Sequence, residues 1–307
     1  MRVLVTGGAG FIGSHLVDRL IQEGHEVIVV DNLSTGKKKN VHKDAKFYKY
    51  DILSPKIEKI FRREKPELIS HHAAQMDVRR SVVDPIFDAQ VNVLGLLNIL
   101  ENAVRYGTRR ILFASSGGAI YGDPRSFPVT EAHPTYPMSP YGVSKLTGEQ
   151  YLHYYKEVCG LEYASLRYGN VFGPRQDPFG EAGVVAIFTQ KMLLGQQPII
   201  NGNGKQTRDY IYVSDIVEAN MAVMHGQHND IFNVATGKET SVNELFRSLV
   251  EITGSNVKEV YGPEKRGEQA RCVLDCSKIR RILDWEPRVS LVEGLERTAA
   301  YFRKGRN

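Results

Sequence analysis

The N-terminal segment of the chain contains the feature that most constrains its fold. A short apolar strand over residues 3–5 leads into three glycines, Gly7, Gly10 and Gly13, which open a helix with apolar residues at helical spacing. A second apolar run, the β-branched segment 27–30, follows that helix. Strand, helix and strand within about 30 residues are typical of a βαβ unit, whose two strands lie parallel. The segment therefore predicts a parallel α/β sheet.

The same alternation of strands and helices continues to about residue 168. Strands that are apolar on both faces indicate a buried parallel sheet. We therefore predict a doubly wound parallel Rossmann-type sheet with helices on both faces, formed by residues 1–167. Further strands are predicted over 47–50, 68–71, 110–115 and 163–167, and helices over 57–63, 84–106 and 140–158.

The pattern changes in the second half of the chain. Glycine, proline and asparagine become frequent there, and only short helices over 185–194 and 242–251 are predicted. We expect residues 168–307 to form a smaller C-terminal α/β domain that binds a substrate. Segments near 205–236, in particular the apolar runs 211–213 and 231–234, are expected to return to the first sheet.

Composition and charge exclude several classes of protein. The 307 residues are 42% hydrophobic and 24% charged, which is ordinary for a globular protein. The net charge of +5 is small, and the lysines form no nucleic-acid footprint. No run approaches the roughly 18 apolar residues of a membrane helix, and no signal-peptide pattern precedes the first strand. We therefore expect a cytoplasmic protein without membrane or nucleic-acid partners.

The three cysteines, Cys159, Cys272 and Cys276, are interpreted as free thiols in a reducing compartment. No cluster of histidine or cysteine surrounds them, so no metal site is predicted there. His71 and His72 are adjacent on a predicted strand, and their side chains therefore point to opposite faces and do not readily share a metal ion.

Each of the N-terminal glycines has a task in binding a dinucleotide. Gly7 permits the tight turn, Gly10 lets backbone amides approach a pyrophosphate, and Gly13 lets the helix lie close to the strand. The N-terminus of the helix then faces the anion. Asp31 ends the second strand, where a carboxylate accepts hydrogen bonds from a ribose diol and repels a 2′-phosphate. The segment predicts an NAD site, with a glycine turn in an unrelated α/β protein as the alternative.

Tyr141 and Lys145 form the second constellation of interest. A spacing of four residues places both side chains on one face of a helix. A lysine cation near a phenol lowers the pKa of the tyrosine, and a cationic nicotinamide would lower it further. We therefore predict that Tyr141 acts as a general base near neutral pH. Alone, the same spacing is typical of many surface helices.

These segments together resemble the extended short-chain dehydrogenases/reductases, and among them the NAD-dependent epimerase/dehydratase family with its UDP-glucose 4-epimerases. The resemblance covers nearly the whole chain. It rests on TGGAGFIGSH at 6–15, DNLS at 31–34, HHAAQ at 71–75, SSGGAIYGD at 115–123, SPYGVSK at 139–145, LRYGNVFGPRQ at 166–176 and TRDYIYVSD at 207–215.

By this resemblance, NAD contacts the glycine turn, the loop after the second strand and the ends of later strands. Asp51 is placed to meet the adenine amine, although a carboxylate that caps a turn or helix has the same pattern. The implied cofactor-binding residues are Gly7, Gly10, Phe11, Ile12, Gly13, Asp31, Asn32, Leu33, Ser34, Thr35, Gly36, Asp51, Ile52, His72, Ala73, Ala74, Gln75, Asn92, Tyr141, Lys145 and Tyr168.

The family also uses a serine or threonine after the fifth strand to bind the substrate hydroxyl. Ser115 and Ser116 stand in this segment and join the predicted catalytic residues, but the usual position falls on Gly117. Either Ser116 reaches in from one residue earlier or the hydroxyl is dispensable, and hydrogen bonding at the strand end is the alternative role for both serines. Residues 115–119 contain no acid, unlike the segment of nucleotide-sugar 4,6-dehydratases, which favours an epimerase.

The second half resembles a site for a nucleotide diphosphate. Asn170 is expected to contact the diphosphate, Val185 to line the uracil pocket, and Arg208 to clamp a phosphate with its forked donors. Ser116 and Tyr141 are expected to touch the sugar.

A later segment completes the substrate site implied by the resemblance. Lys265 or Arg266 is expected to bind phosphate and Glu268 to bind ribose, with solvent-exposed loop charges as the alternative. Cys272 resembles a gate beside the sugar ring, where a small residue leaves room for a 2-acetamido group. A buried cysteine with a packing role is the alternative.

The implied activity is the NAD-dependent interconversion of UDP-glucose and UDP-galactose by reversible oxidation at sugar C4. UDP-N-acetylhexosamines are further candidate substrates. A UDP-glucuronate 4-epimerase, a nucleotide-sugar dehydrogenase or reductase, and an idle NAD-binding scaffold are the alternatives. The resemblance also implies a homodimer through helices around 88–106 and 141–158, to which Leu94, Leu97 and Leu100 would contribute unless they face the sheet.

Overall fold

The structure, a computed structural model, describes residues 1–179, 183–226, 228–264 and 269–305. A seven-stranded sheet lies at its centre, and every pairing in that sheet is parallel. The predicted doubly wound Rossmann-type fold is confirmed. The first six strands are β1 (Arg2–Thr6), β2 (Glu26–Val30), β3 (Lys46–Tyr48), β4 (Leu68–His71), β5 (Arg110–Ser116) and β6 (Glu162–Tyr168).

Helices cover both faces of this sheet because its strands are apolar on both sides. Leu4 lies between β2 and β4 and has no exposed surface, like its neighbours Val3 and Val5. Val3 and Val5 join a core with the helix Phe11–Gln22, whereas Leu4 joins a second core with the helices Ile57–Glu64 and Gly95–Arg105. The helices of the first half are α1 (Phe11–Gln22), α2 (Ile57–Glu64), α3 (Val78–Val83), α4 (Pro85–Ala89), α5 (Gly95–Arg105), α6 (Gly117–Ile120) and α7 (Pro140–Cys159).

The long helix predicted over residues 84–106 contains a change of helix type. α4 and α5 are joined by a π-helical turn, Gln90–Leu94. This wide turn carries Asn92, whose side chain reaches the segment after β4. Such turns are frequent at functional sites. Periodicity of apolar residues carries no signal for a single wider turn, so the sequence predicted one uniform helix.

Helix α3 was not predicted from the sequence. It begins after Asp77, whose carboxylate caps it by accepting hydrogen bonds from the backbone N–H groups of Arg79 and Arg80. It ends at Asp84, which caps α4 in turn by accepting from Phe87 N. Two capping carboxylates so close together explain why two short helices form here rather than a loop.

The second half of the chain contributes smaller elements and one strand of the central sheet. They are β7 (Asn170–Phe172), α8 (Val184–Leu193), β8 (Ile200–Asn201), β9 (Thr207–Arg208), β10 (Tyr210–Tyr212), α9 (Val213–His225), β11 (Asp230–Val234), β12 (Thr240–Ser241), α10 (Val242–Thr253), β13 (Tyr261–Gly262), α11 (Ser277–Leu283) and α12 (Leu291–Lys304).

The strand order of the central sheet is β11-β6-β5-β4-β1-β2-β3. β11 therefore joins the first sheet from the second half, as expected for 231–234. The run 211–213 does not, because β10 pairs with β7 in a separate two-stranded sheet. Side chains also connect the halves, since His15 Nε2 lies 2.9 Å from Pro174 O and Lys37 Nζ lies 2.9 Å from Asp177 Oδ2.

Two features bear on the expected dimer and membrane properties. Leu100 is completely buried in the core between the sheet and α5, so of the two alternatives given for it, facing the sheet is the one that the structure shows. Leu97 is half-buried against the same core, whereas 53% of Leu94 is exposed. Across the described ranges, no helix has both the length and the apolar character needed to cross a bilayer.

Candidate active site

The glycine turn between β1 and α1 leaves space for a ligand above the helix N-terminus. Gly7 has a positive φ of 69°, and a Cβ there would lie 2.7 Å from Ala73 N. A Cβ on Gly13 would collide with the carbonyl oxygen of Gly7. At Gly10, by contrast, a Cβ would meet only Gly7 O, at 3.2 Å, so the outer side of the turn is open. The first amides of α1, which begins after Gly10 without a side-chain cap, are available to an anion.

Asp31 holds a fixed carboxylate at the end of β2. Its Oδ2 accepts a hydrogen bond from Ala9 N at 3.0 Å, and its Oδ1 accepts from Leu33 N at 2.8 Å. Burial raises the pKa of Asp31, and these two bonds oppose the rise. A Cβ on Gly36 would lie 2.8 Å from Oδ1, so only glycine fits beside the carboxylate. Each oxygen keeps a second lone pair for a ribose diol. The glycine turn and this acid together fit a dinucleotide.

The loop residues around Asp31 are held by local bonds. Asp51 accepts hydrogen bonds from Asn32 Nδ2 and from Leu53 N, both at 2.8 Å, so it serves as a turn carboxylate in this structure. Its predicted contact with adenine remains a prediction. Ile52 is buried against α5, where a Cβ on Gly95 would lie 2.6 Å from Ile52 Cδ1.

The segment after β4 runs directly beside the glycine turn. His71 is hydrogen-bonded to Thr6 Oγ1 and His72 to Ser70 Oγ, each at 2.9 Å. Burial and the nearby Lys145 lower the pKa of both histidines to about 3, so both rings are neutral at physiological pH. The two rings turn to different partners. The backbone of Ala73 lies directly against Gly7.

The side chain of Asn92 is hydrogen-bonded to the backbone at the end of this segment. Its Oδ1 accepts a hydrogen bond from Gln75 N at 2.9 Å, and its Nδ2 donates to Gln75 O at 2.8 Å. Both residues are buried. The π-helical turn thus positions the predicted cofactor residues of the segment. Tyr168, at the end of β6, stacks on His72 with the two ring centroids 6.5 Å apart, so it lies beside the same segment.

Tyr141 and Lys145 stand in the first turns of α7, which starts at Pro140 and is capped by Ser139. Ser116 lies close enough to Tyr141 for its hydroxyl to act on the pKa of the phenol. Lys145 Nζ donates to Ala114 O at 2.8 Å and lies 5.8 Å from the centroid of the Tyr141 ring. The structure therefore brings Ser116, Tyr141 and Lys145 together at the carboxyl end of β5.

The expected lowering of the Tyr141 pKa by Lys145 is not found in the structure. Burial raises the pKa of Tyr141 to about 12, and the neighbouring Ser116 offsets only part of that rise. Lys145 gives its hydrogen bond to a backbone carbonyl instead of the phenol, and burial lowers its own pKa to about 8. Sequence spacing predicted the shared helix face but not the desolvation of both groups.

Ser115 does not share the site with Ser116. Its side chain points to the opposite face of β5, where its Oγ donates to Glu149 Oε1 at 2.7 Å. Gly117 leaves no room for the serine or threonine side chain that the resemblance implies at this position. A Cβ there would collide with Leu274 Cδ1 and come within 3.1 Å of Leu274 Cδ2. Ser116 is thus the hydroxyl that the structure places beside Tyr141.

Sequence reasoning missed two buried acids next to these residues. Glu149 lies one helical turn after Lys145 and binds Arg167 at 2.6 Å, with both side chains almost fully buried. The spacing of four from Tyr141 to Lys145 to Glu149 was a signal that could have revealed it. Asp88 is completely buried in α4 and accepts a hydrogen bond from Ser144. No motif pointed to Asp88.

The predicted substrate residues gather around the short strands of the second half. Asn170 donates its backbone N–H to Asp209 O at 2.8 Å, beside Arg208 in β9. Cys272, which is 5% exposed, donates its N–H to Thr207 O. Burial raises the pKa of its thiol, and the nearby positive charge of Arg208 opposes that rise. These three predicted residues therefore lie close together.

Other predicted substrate residues are placed differently. Val185 is buried in α8 within a third core that includes Phe172 and Tyr210. Lys265, Arg266 and Glu268 lie outside the described residues. Among the ranges that are described, no group of three or more His, Cys, Asp or Glu side chains is arranged to hold a metal ion.

Comparison with known families identifies this arrangement. Residues 3–235 match the model of the NAD dependent epimerase/dehydratase family. The chain belongs to this family. The predicted membership and NAD dependence are therefore confirmed.

Individual members of the epimerase/dehydratase family resemble the chain over its full length. A putative UDP-glucose 4-epimerase of Methanocaldococcus jannaschii is 48% identical over 98% of both chains. The UDP-glucose 4-epimerase of Thermotoga maritima, solved with UDP-glucose, is 49% identical, with a TM-score of 0.98 over 100% of both chains. That of Thermus thermophilus, solved with NAD, is 44% identical, with a TM-score of 0.94 over 99% of both chains.

Proposed function

We propose that this protein is a UDP-glucose 4-epimerase, which interconverts UDP-glucose and UDP-galactose by oxidation and re-reduction at sugar C4. The observation that carries the proposal is the cluster of Ser116, Tyr141 and Lys145 at the end of β5, beside a glycine turn that fits a dinucleotide. Relatives of the same length that bear this name support it.

Tyr141 acts as the proton acceptor in this proposal. Its phenolate oxygen takes the proton from the sugar 4-hydroxyl and becomes the phenol, and the neighbouring Ser116 hydroxyl helps to orient the sugar hydroxyl. The same tyrosine returns the proton when the opposite face of the oxidised sugar is reduced. When bound, NAD⁺ supplies a hydride acceptor and a positive charge that favours the phenolate.

Lys145 supports the phenol from the next turn of α7. Lys145 is buried, so its charge acts on the site with little screening by water. Its bond to Ala114 O fixes the ammonium group at the end of β5, where it also binds the nicotinamide ribose in this proposal. Gly7, Gly10, Gly13 and the amides of α1 would hold the pyrophosphate, and Asp31 the adenosine ribose.

The substrate half binds the nucleotide diphosphate. Arg208 is proposed to clamp a phosphate, with Asn170 beside it and Cys272 near the sugar. Lys265 or Arg266 and Glu268 complete the proposed site. Because cysteine is much smaller than tyrosine, the space at Cys272 is proposed to admit UDP-N-acetylhexosamines as well.

The absence of an acid in residues 115–119 favours an epimerase over a dehydratase. Elimination of water from the oxidised sugar needs a proton donor beside the leaving hydroxyl. Glu149, a buried acid beside β5, is held by Arg167 and Ser115 on the face of the strand opposite Ser116. Oxidation without elimination leaves return of the hydride as the outcome.

The test is epimer formation by the purified protein. Incubation with UDP-galactose should yield UDP-glucose without added reductant and without net accumulation of reduced nicotinamide. Tyr141→Phe, which keeps the ring and removes the hydroxyl, is the matched control and should be inactive under the same conditions. Net NADH would indicate a dehydrogenase or reductase, conversion of UDP-glucuronate alone would indicate the uronate epimerase, and no turnover with any UDP-sugar would indicate a scaffold.

The protein is further proposed to be a cytoplasmic homodimer. Leu94, Val143 and Val158 are at least half exposed on the expected helix pair, and such apolar surface is suited to a second copy of the chain. Cys159, Cys272 and Cys276 are all free, in keeping with a reducing compartment. Light scattering at micromolar concentration tests the dimer, and a monomer there would refute it.

A further inference from the structure

Asp88 is a buried carboxylate that none of the proposed roles uses. Its Oδ2 accepts a hydrogen bond from Ser144 Oγ at 2.6 Å, and its Oδ1 accepts from Gln75 Nε2 at 2.9 Å and from Asn92 Nδ2 at 3.0 Å. All three of these donors are neutral. An ionised carboxylate is costly to bury when its contacts are neutral, so its retention here calls for a physical reason.

The three donors come from three segments that meet at the site. Ser144 directly precedes Lys145 on α7, and Gln75 ends the segment that runs beside the glycine turn. Asn92 belongs to the π-helical turn, and its side chain forms two hydrogen bonds with the backbone of Gln75. A single carboxylate thus ties the helix of the proposed base to the segment that lies beside the cofactor site.

The charges that face Lys145 come from several elements. Glu149 on the same helix is negative but is bound to Arg167, which balances it. His71 and His72, from the end of β4, are neutral because burial and Lys145 lower the pKa of both to about 3.

Asp88 also acts on Lys145 through its charge, whereas the nearby phenol of Tyr141 is neutral. Burial lowers the pKa of Lys145 to about 8, and the charges of Asp88 and Glu149 oppose that change, with Asp88 the larger of the two. Asp88 also raises the pKa of Tyr141.

We propose that Asp88 is a positioning residue whose negative charge keeps the buried Lys145 protonated and whose bond to Ser144 holds α7 against the segment beside the cofactor. The importance of a charged Lys145 rests on the proposed function. The effect of Asp88 on that charge does not, because it is measurable in protein without cofactor or substrate.

The test is the titration of Lys145 in Asp88→Asn. Asparagine has the same shape, keeps one acceptor oxygen for Gln75 and Asn92, and turns an amide toward Ser144, whose hydroxyl accepts as well as donates. NMR of protein labelled at lysine Cε, with Lys145→Met to assign the resonance, gives the midpoint. We expect the Lys145 midpoint to fall by about one unit, the usual spread of pKa values in folded proteins.

Such a fall changes the charged fraction of Lys145 appreciably. From a midpoint of about 8, a decrease of about one unit reduces the charged fraction at pH 8 from about one half to about one tenth. In the epimerase assay, the high-pH limb of kcat should move to lower pH in Asp88→Asn, with KM unchanged, because Asp88 is not expected to touch the substrate.

Asp84→Asn is the matched control. Asp84 is exposed at the start of the same helix, its removal changes the net charge equally, and asparagine keeps the cap. Its Lys145 midpoint should equal that of the wild type. Equal midpoints in wild type and Asp88→Asn would overturn the proposal, even if Asp88→Asn were less stable or slower.

A second variant covers the case in which Asp88→Asn fails to fold. Ser144→Ala removes one donor and no charge, so the Lys145 midpoint should stay at or above the wild-type value. A midpoint below it would show that hydrogen bonding to Ser144, not the charge of Asp88, governs Lys145, and would overturn the proposal. Epimer formation by the wild type is measured separately, so loss of the proposed function is distinguished from loss of this inference.

Discussion

Adding one methyl group at Gly117 should destabilise the protein through a single contact. The Cβ of Gly117→Ala would collide with Leu274 Cδ1, and Leu274 has no exposed surface into which it could move. Overpacking of this kind costs about 1–3 kcal/mol. Gly118→Ala is the matched control, since Gly118 lies in the same short helix and a Cβ there would meet nothing within 4 Å.

Urea unfolding followed by circular dichroism and by the fluorescence of Trp285 measures the free energies of unfolding. Helix propensity changes alike in Gly117→Ala and Gly118→Ala, so the difference between them, about 1–3 kcal/mol, isolates the contact with Leu274. Leu274→Ala alone should cost about 2–5 kcal/mol.

In the double variant the new methyl enters the space vacated by leucine, so Gly117→Ala should cost almost nothing further. Additive losses in the Gly117→Ala and Leu274→Ala double variant, or equal stability of the Gly117→Ala and Gly118→Ala variants, would refute the reasoning.

Four further outcomes are expected. Tyr141→Phe should keep the fold and the bound cofactor but lower kcat by about 10²–10⁴-fold, as expected for loss of a general base; near-native turnover would contradict that role. Ser116→Ala should lower kcat, because Ser116 lies beside Tyr141, whereas Ser115→Ala should cost about 1 kcal/mol of stability through its lost bond to Glu149 and leave kcat nearly unchanged; equal kinetic effects would count against the assignment. Cys272→Tyr should suppress turnover of UDP-N-acetylhexosamines and spare UDP-galactose, and a wild type inactive on both acetamido sugars would exclude the open gate. Below about 10, the ordinary pKa of tyrosine, the cofactor-free protein should show no phenolate from Tyr141, because burial raises its pKa to about 12; an ultraviolet difference spectrum against Tyr141→Phe that titrates lower would disprove this.

The parallel sheet was predictable because its strands are read directly from local patterns. The strand predicted over residues 68–71 is found at Leu68–His71, and the glycine turn stands where its spacing placed it. The return of β11 was also expected from an apolar run. The π-helical turn was not, because a single wider turn leaves the apolar spacing of α4 and α5 intact.

The site was predictable in its residues more than in its electrostatics. Helical spacing put Tyr141 and Lys145 on one face, but the burial that raises one pKa and lowers the other depends on the surrounding fold. Alternation of side chains along β5 implied that Ser115 and Ser116 face opposite sides, and this rule would have separated them from sequence alone. Asp88 has no sequence signal of its own. Two of its partners, Gln75 and Ser144, are distant along the chain, and the third, Asn92, follows one helical turn later outside any motif.

Strand β11 sets a limit on how this chain can be cut or recombined. It lies beside β6 at the edge of the central sheet, and Phe232 and Val234 within it have no exposed surface. In a fragment that stopped after residue 167, the N–H and C=O groups of β6 that face β11 would be unpaired along an apolar edge. Such an edge is a template for association with other chains. A chimera that exchanges the nucleotide-binding half for that of a relative must therefore retain Asp230–Val234, or supply a strand matched to β6, to give a protein that does not aggregate.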